Sequence, residues 1–146
     1  MREIKNTKQA TVHITYDGRV RKRYHGPCAE ARFANEVRAL RYLERHGCGF
    51  VPKLLDVDEP TLTIITTNCG KMAGKLSEEK LKNLFAELEQ FGVRHEDAFL
   101  RNVTYDARQG RFCLIDFEFS TILSTGEGLT LAEVEATHDG DWERKV

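Results

Sequence analysis

The sequence predicts a mixed α+β fold built from antiparallel hairpins and two amphipathic helices. Three observations carry this expectation. Runs rich in β-branched and aromatic residues flank two polar turns, Asp17-Gly18 and Asp106 to Gly110. Two stretches, 27–46 and 77–91, place apolar residues at helical spacing. The length, 146 residues, fits a single domain over 1–146 with a real core.

Residues 1–24 read as strands. Thr11 to Tyr16 and Arg19 to Tyr24 flank the Asp17-Gly18 turn. Alternation along the second strand puts Val20, Lys22 and Tyr24 on one face and Arg19, Arg21 and Arg23 on the other. The arginines are expected to face solvent, which leaves Lys22 as the odd charge on the apolar face.

Residues 27–46 read as a helix. Pro27 suits a first turn, Glu30 favours the N-terminal end of the helix dipole, and Gly47 follows as a stop. Phe33, Val37, Leu40 and Leu43 form its apolar stripe, and Glu36 falls inside it. A carboxylate on a buried face is costly unless paired. Lys22, stranded on an apolar face just upstream, is the natural partner.

Phe50 to Val57 and Thr61 to Thr66 read as strands around an Asp58-Glu59-Pro60 turn, and 71–75 as a short connector. Ser77 caps the second helix, with Glu78 and Glu79 in its first turn and Gly92 after its end. Leu81, Leu84, Phe85, Leu88 and Phe91 form its buried stripe.

The rest is organised around His95 to Phe119. Asn102 to Tyr105 and Phe112 to Ile115 read as a hairpin, with Tyr105 opposite Arg111 and Asn102 opposite Leu114. Asp116 then falls beside Asn102, and Asp97 lies in the loop feeding the first strand. Two carboxylates and an amide thereby meet at one end of the hairpin. Phosphoryl transfer needs such a set. Mg²⁺ takes hard oxygen ligands, and a separate carboxylate must accept the proton of an attacking hydroxyl.

The spacing His95-x-Asp97-x-x-x-x-Asn102, followed by an apolar strand ending in Asp116-Phe117, resembles the catalytic core of the protein-kinase-like superfamily. Ile115-Asp116-Phe117-Glu118 looks most like the aminoglycoside and choline kinase branch. The Lys22–Glu36 pair extends the resemblance upstream. It implies a two-lobed fold with an antiparallel sheet and one helix in the N-lobe, about 1–70, and a strongly reduced C-lobe, about 76–146. It implies Asp97 as the base, Asn102 and Asp116 as Mg²⁺ ligands, and Lys22 on the phosphates of ATP, held by Glu36. It places adenine against the segment from Ile65 through Thr66, Thr67 and Asn68, with Ile65 behind the ring. His95 braces the loop.

The implied activity is ATP- and Mg²⁺-dependent phosphoryl transfer to a Ser or Thr hydroxyl of the chain itself or of a protein partner. A small-molecule kinase and a nucleotide-binding module without turnover are the alternatives. Two departures favour the module. Ile4 to Ile14 contains no glycine, so Asn6 to Gln9, with Lys8, would have to take the place of a glycine-rich phosphate loop. About thirty residues follow Asp116, too few for a helical docking subdomain.

Composition excludes other classes. Lys plus Arg, 22, nearly balances Asp plus Glu, 23, so no overall charge draws the chain to nucleic acid or to an anionic membrane. No apolar run spans a bilayer and no signal-peptide core opens the chain. Four dispersed cysteines form no C-x-x-C pair. A reduced, cytoplasmic protein is expected. His138 and Asp139 make a poor metal pair because they sit in a charged tail.

Overall fold

Antiparallel pairing dominates the computed structural model, which describes residues 2–6 and 9–138, with only the backbone of 2–6 and of 138. In chain order the elements are β1 (Arg2–Asn6), β2 (Ala10–Ile14), β3 (Val20–Tyr24), α1 (Ala29–Arg45), β4 (Leu54–Asp58), β5 (Thr63–Thr66) and β6 (Lys71–Met72). Then come α2 (Glu78–Gln90), β7 (Val93–His95), a 3₁₀ turn (Leu100–Asn102), β8 (Val103–Asp106), β9 (Arg111–Leu114), β10 (Ser120–Ile122) and α3 (Leu131–His138). A five-stranded sheet runs β1-β2-β3-β5-β4, a three-stranded one β6-β8-β9, and β10 pairs with β7. Every pairing is antiparallel. The fold is α+β, with helices laid against antiparallel sheets.

Local chemistry explains the elements. The β2–β3 loop runs from Thr15 to Arg19, wider than the two-residue turn expected. Gly18, at φ 82°, supplies its left-handed residue. Helix α1 starts two residues later than expected, after Cys28 in the left-handed region. It ends where the Gly47 N–H bonds to Glu44 O and the Cys48 N–H to Leu43 O. Ser77 caps α2 as expected, accepting from the Lys80 N–H at 3.1 Å.

Three expectations shift. Phe50 to Lys53 is not strand, because Pro52 has no N–H to give a ladder, and pairing begins at Leu54. Phe50 and Val51 enter the core instead. The β8–β9 register lies one residue from that expected: Val103 faces Leu114 and Tyr105 faces Phe112. Asp106 causes this, since its carboxylate accepts from Arg108 N–H at 3.0 Å and its carbonyl from Gly110 N–H at 2.7 Å. Those bonds close the loop behind Asp106 and make it the last residue of the strand. The supposed connector at 71–75 contains β6, which pairs with β8.

One core joins the five-stranded sheet, α1, α2 and the β8–β9 hairpin. The apolar stripe of α1, Phe33, Val37, Leu40 and Leu43, is buried throughout. In α2, Leu84, Phe85 and Leu88 are buried, and Leu81 and Phe91 are half-buried at its edge. Phe117, Phe119 and Ile122 are buried after the hairpin, whereas Leu123 is exposed. Among the described residues, no helix is long and apolar enough to cross a membrane.

Candidate active site

Strand alternation fixes the first part of the site. Lys22 faces Val12 on β2 and Ile64 on β5, so its side chain shares their apolar face. Helix α1 covers that face and brings Glu36 to it. Lys22 and Glu36 are both almost fully buried, at 8% and 3% exposure, which rules out a lysine reaching for water.

Lys22 Nζ lies 2.9 Å from Glu36 Oε1, 3.3 Å from Asp116 Oδ1 and 3.4 Å from Glu118 Oε2. Tyr24, one step along the same face, donates its hydroxyl to Glu36 Oε1. Glu36 Oε2 accepts the Phe117 N–H at 2.8 Å. Burial opposes the charge on Lys22, but the carboxylates of Asp116, Glu36 and Glu118 outweigh it and hold the ammonium well above the usual lysine range.

Glu118 was not picked out in the sequence as a site residue. It is buried, between Lys22 and the guanidinium of Arg32 at 3.7 Å. Burial raises its carboxyl above the ordinary range, an effect that Lys22 and Arg32 offset only in part. Arg32 also bonds the carbonyls of Pro27 at 2.8 Å and Gln9 at 3.2 Å, and that of His25. The signal was present: Arg32 is a charge next to the apolar stripe of α1, as Glu36 is within it. Three carboxylates therefore converge on Lys22, and one of them, Glu118, also reaches Arg32.

The second part lies around Asp97. Asn102 ends the 3₁₀ turn, and its amide nitrogen donates to Asp97 O at 2.8 Å and Asp97 Oδ2 at 3.0 Å. With both hydrogens committed there, Asn102 Oδ1 points away from Asp97. Arg101 Nη2 lies 2.5 Å from Asp97 Oδ1. His95 is buried between Phe85 and Phe117. It accepts the Asp97 N–H on Nδ1 at 3.0 Å and donates from Nε2 to Ile115 O at 2.9 Å. Burial pushes its imidazole below the usual histidine range. A neutral His95 therefore ties the Asp97 loop to the strand that delivers Asp116, the bracing expected of it.

The two parts meet at Ile115, whose N–H bonds Asn102 O at 2.9 Å. Asp116 follows in the left-handed region at φ 61°. The one-residue register shift thus still leaves Asp116 beside Asn102. Lys22, Glu36, Asp97, Asn102 and Asp116 belong to one bonded frame. Among the described residues, no buried side-chain polar atom lacks a partner.

The adenine-side residues are placed differently. Ile65 pairs with Arg21 and so lies on the sheet face opposite Lys22. The β5 residues that share the Lys22 face are Ile64 and Thr66. Thr66 is buried and donates to Thr67 O at 3.0 Å. Thr67 and Asn68 line a cavity of about 520 Å³ together with Lys53, Cys69 and Asp106, and neither Lys22 nor Asp116 reaches it. Asn68 Oδ1 accepts the Gly70 N–H at 2.9 Å.

Of the loop expected near the phosphates, Thr7 and Lys8 lie outside the described residues, as does Asp139 of the tail. Among the described residues, no three His, Cys, Asp or Glu side chains group to hold a metal. The oxygen donors in place are the Asp116 carboxylate and the Asn102 amide, hard ligands of the type Mg²⁺ takes. No protein-family model matches the chain, and no curated protein matches it.

Proposed function

We propose that the chain is an ATP- and Mg²⁺-dependent phosphotransferase with a reduced, two-lobed protein-kinase-like fold. The observation that carries this reading is Lys22, buried and charged, bonded at once to Glu36 on α1 and to Asp116 after β9. A buried ammonium has three donors to satisfy, and this lysine spends them on carboxylates from two separate parts of the chain. It is aimed by Glu36 towards the carboxylate assigned to the metal, the arrangement that lets a cation grip phosphates next to Mg²⁺.

In this reading Asn102 Oδ1 and Asp116 would hold Mg²⁺, which supplies charge neutralisation on the transferred phosphoryl group. Lys22 leaves its contacts with Asp116 and Glu118 in favour of the α/β-phosphates and keeps Glu36. Asp97 accepts the proton of the acceptor hydroxyl at a carboxylate oxygen. The acceptor is a Ser or Thr hydroxyl of the chain or of a protein partner.

A second reading, a nucleotide-binding module without turnover, is favoured by the engagement of Asp97. Arg101 and Asn102 occupy both of its oxygens, so neither is left open to a hydroxyl proton in this arrangement. The discriminating experiment has two steps. Thermal unfolding with and without Mg·ATP tests binding, and a rise in Tm that Asp116→Ala removes is expected. Incubation with γ-labelled ATP, alone and with lysate, then tests transfer. Binding without transfer leaves the module. Equal Tm shifts in wild type and Asp116→Ala at matched free Mg²⁺ overturn the assignment of Asp116.

A further inference from the structure

We propose that Asn35 is a positioning residue that locks the Asp116 turn onto α1, so that the metal end of the site stands assembled without an activating event. This rests on the phosphotransferase reading and adds to it how the site is regulated.

Asn35 precedes Glu36 on α1 and is 3% exposed. Its amide nitrogen donates to Glu118 O at 2.9 Å and Ser120 O at 3.0 Å, and lies 3.4 Å from Ser120 Oγ. Its Oδ1 accepts from Arg38 at 2.8 Å. Glu36 takes the Phe117 N–H, and Ser120 Oγ donates to Phe117 O at 2.7 Å. Residues 117–120 therefore close on themselves and are gripped by two successive residues of one helix.

Asp116 lies between this grip and a second anchor, Ile115, which is bonded to Asn102 and His95. A non-glycine residue keeps a left-handed conformation when the surrounding structure imposes it. Here the imposing groups are Asn35 and Glu36 on one side and Asn102 and His95 on the other. Helix α1 and the Asp116 turn consequently move as one body. The Lys22–Glu36 pair cannot open while Asp116 stays in place, and no separate ordering step is left to switch the site on. The side chain must be an amide: aspartate has no donor for two carbonyls, and leucine takes the donor from Glu118 O and leaves Ser120 O with the Leu129 N–H alone.

The test uses the full chain and a non-hydrolysable ATP analogue, so that turnover is not the readout. Mg²⁺ is titrated by calorimetry into wild type, Asn35→Ser, Asn35→Leu and Leu40→Ala. Partners outside a metal's own ligands typically change affinity ~10–100-fold when removed. The half-saturating Mg²⁺ concentration is expected to rise by that factor in the Asn35 variants, with faster hydrogen exchange at the Phe117 amide. Leu40→Ala weakens the same helix and should leave the Mg²⁺ requirement unchanged. If Asn35→Leu does not fold, Asn35→Ser and its amide exchange decide. Asn35 variants with the wild-type Mg²⁺ requirement, or Leu40→Ala shifting it equally, overturn the proposal alone. A wild type that binds no Mg²⁺ with the analogue overturns it together with the phosphotransferase reading.

Discussion

The Phe117 N–H donates to Glu36 Oε2, while Glu36 Oε1 holds Lys22, so one carboxylate serves both the strand lysine and the backbone just after Asp116. Removing Lys22 is therefore not a local change. Lys22→Met leaves Glu36, Asp116 and Glu118 close together without the ammonium that all three contact. Breaking a buried pair from one side typically costs about 3–5 kcal/mol. Urea unfolding at pH 7 should show a loss of that order. A variant as stable as wild type would refute the buried network.

Stability should also carry the signature of His95. Its imidazole titrates below the usual value of ~6.5 because burial favours the neutral ring. The unfolded chain then binds the proton first. The His95 contribution is full above about pH 6.5 and drains away as pH falls towards the lowered folded pKa. Glu118, whose folded pKa is raised, works in the opposite sense, so the informative quantity is a difference. Wild type should lose more stability than His95→Gln between pH 7.5 and pH 5.5. Parallel profiles would sink the assignment.

Asp97→Asn separates chemistry from binding. The amide keeps the shape of Asp97 but cannot take a proton, and loss of a general base typically costs ~10²–10⁴-fold in rate. Transfer from γ-labelled ATP should fall by that factor. The Tm rise with Mg·ATP should persist, since Asp97 is neither a metal nor a nucleotide ligand in this reading. An unchanged rate would remove Asp97 from the base role.

Gly70 tests the segment between β5 and β6. At φ +94°, a Cβ there would fall 2.0 Å from the Tyr105 carbonyl oxygen. Gly70→Ala should destabilise by more than about 1 kcal/mol, because the backbone cannot retain this conformation with a side chain. Gly74→Ala, with open space around it, is the control and should be near neutral. Equal unfolding midpoints for the two would show that the close approach to β8 is absent.

The sequence shows most where a charge interrupts an apolar pattern. Lys22 and Glu36 were legible because each breaks a periodic face, and the structure pairs them. His95, Asp97, Asn102 and Asp116 were singled out by the hairpin reading together with the resemblance, and the structure joins them through Ile115. The β8–β9 register was misread because Asp106 acts as both strand residue and loop cap, and a hydropathy pattern does not register capping bonds. Strands β6, β7 and β10 are two or three residues long, too short to leave a period. Ile65 stands on the face opposite Lys22, because one step in a strand exchanges its faces. Glu118 was missed because its partners Lys22 and Arg32 lie far along the chain.

The spacing of the partners of Lys22 bears on how the molecule folds. Glu36 lies 14 residues away, within a hairpin and the helix that follows it, whereas Asp116 lies 94 residues away. The first contact closes a short loop, and the second waits for nearly the whole described chain to be in place. The Lys22–Glu36 pair can thus form early, with one carboxylate for one ammonium. Completion of the ion cluster by Asp116 belongs to the final stage, so a nascent chain lacking the last third holds the lysine on Glu36 without its most distant carboxylates.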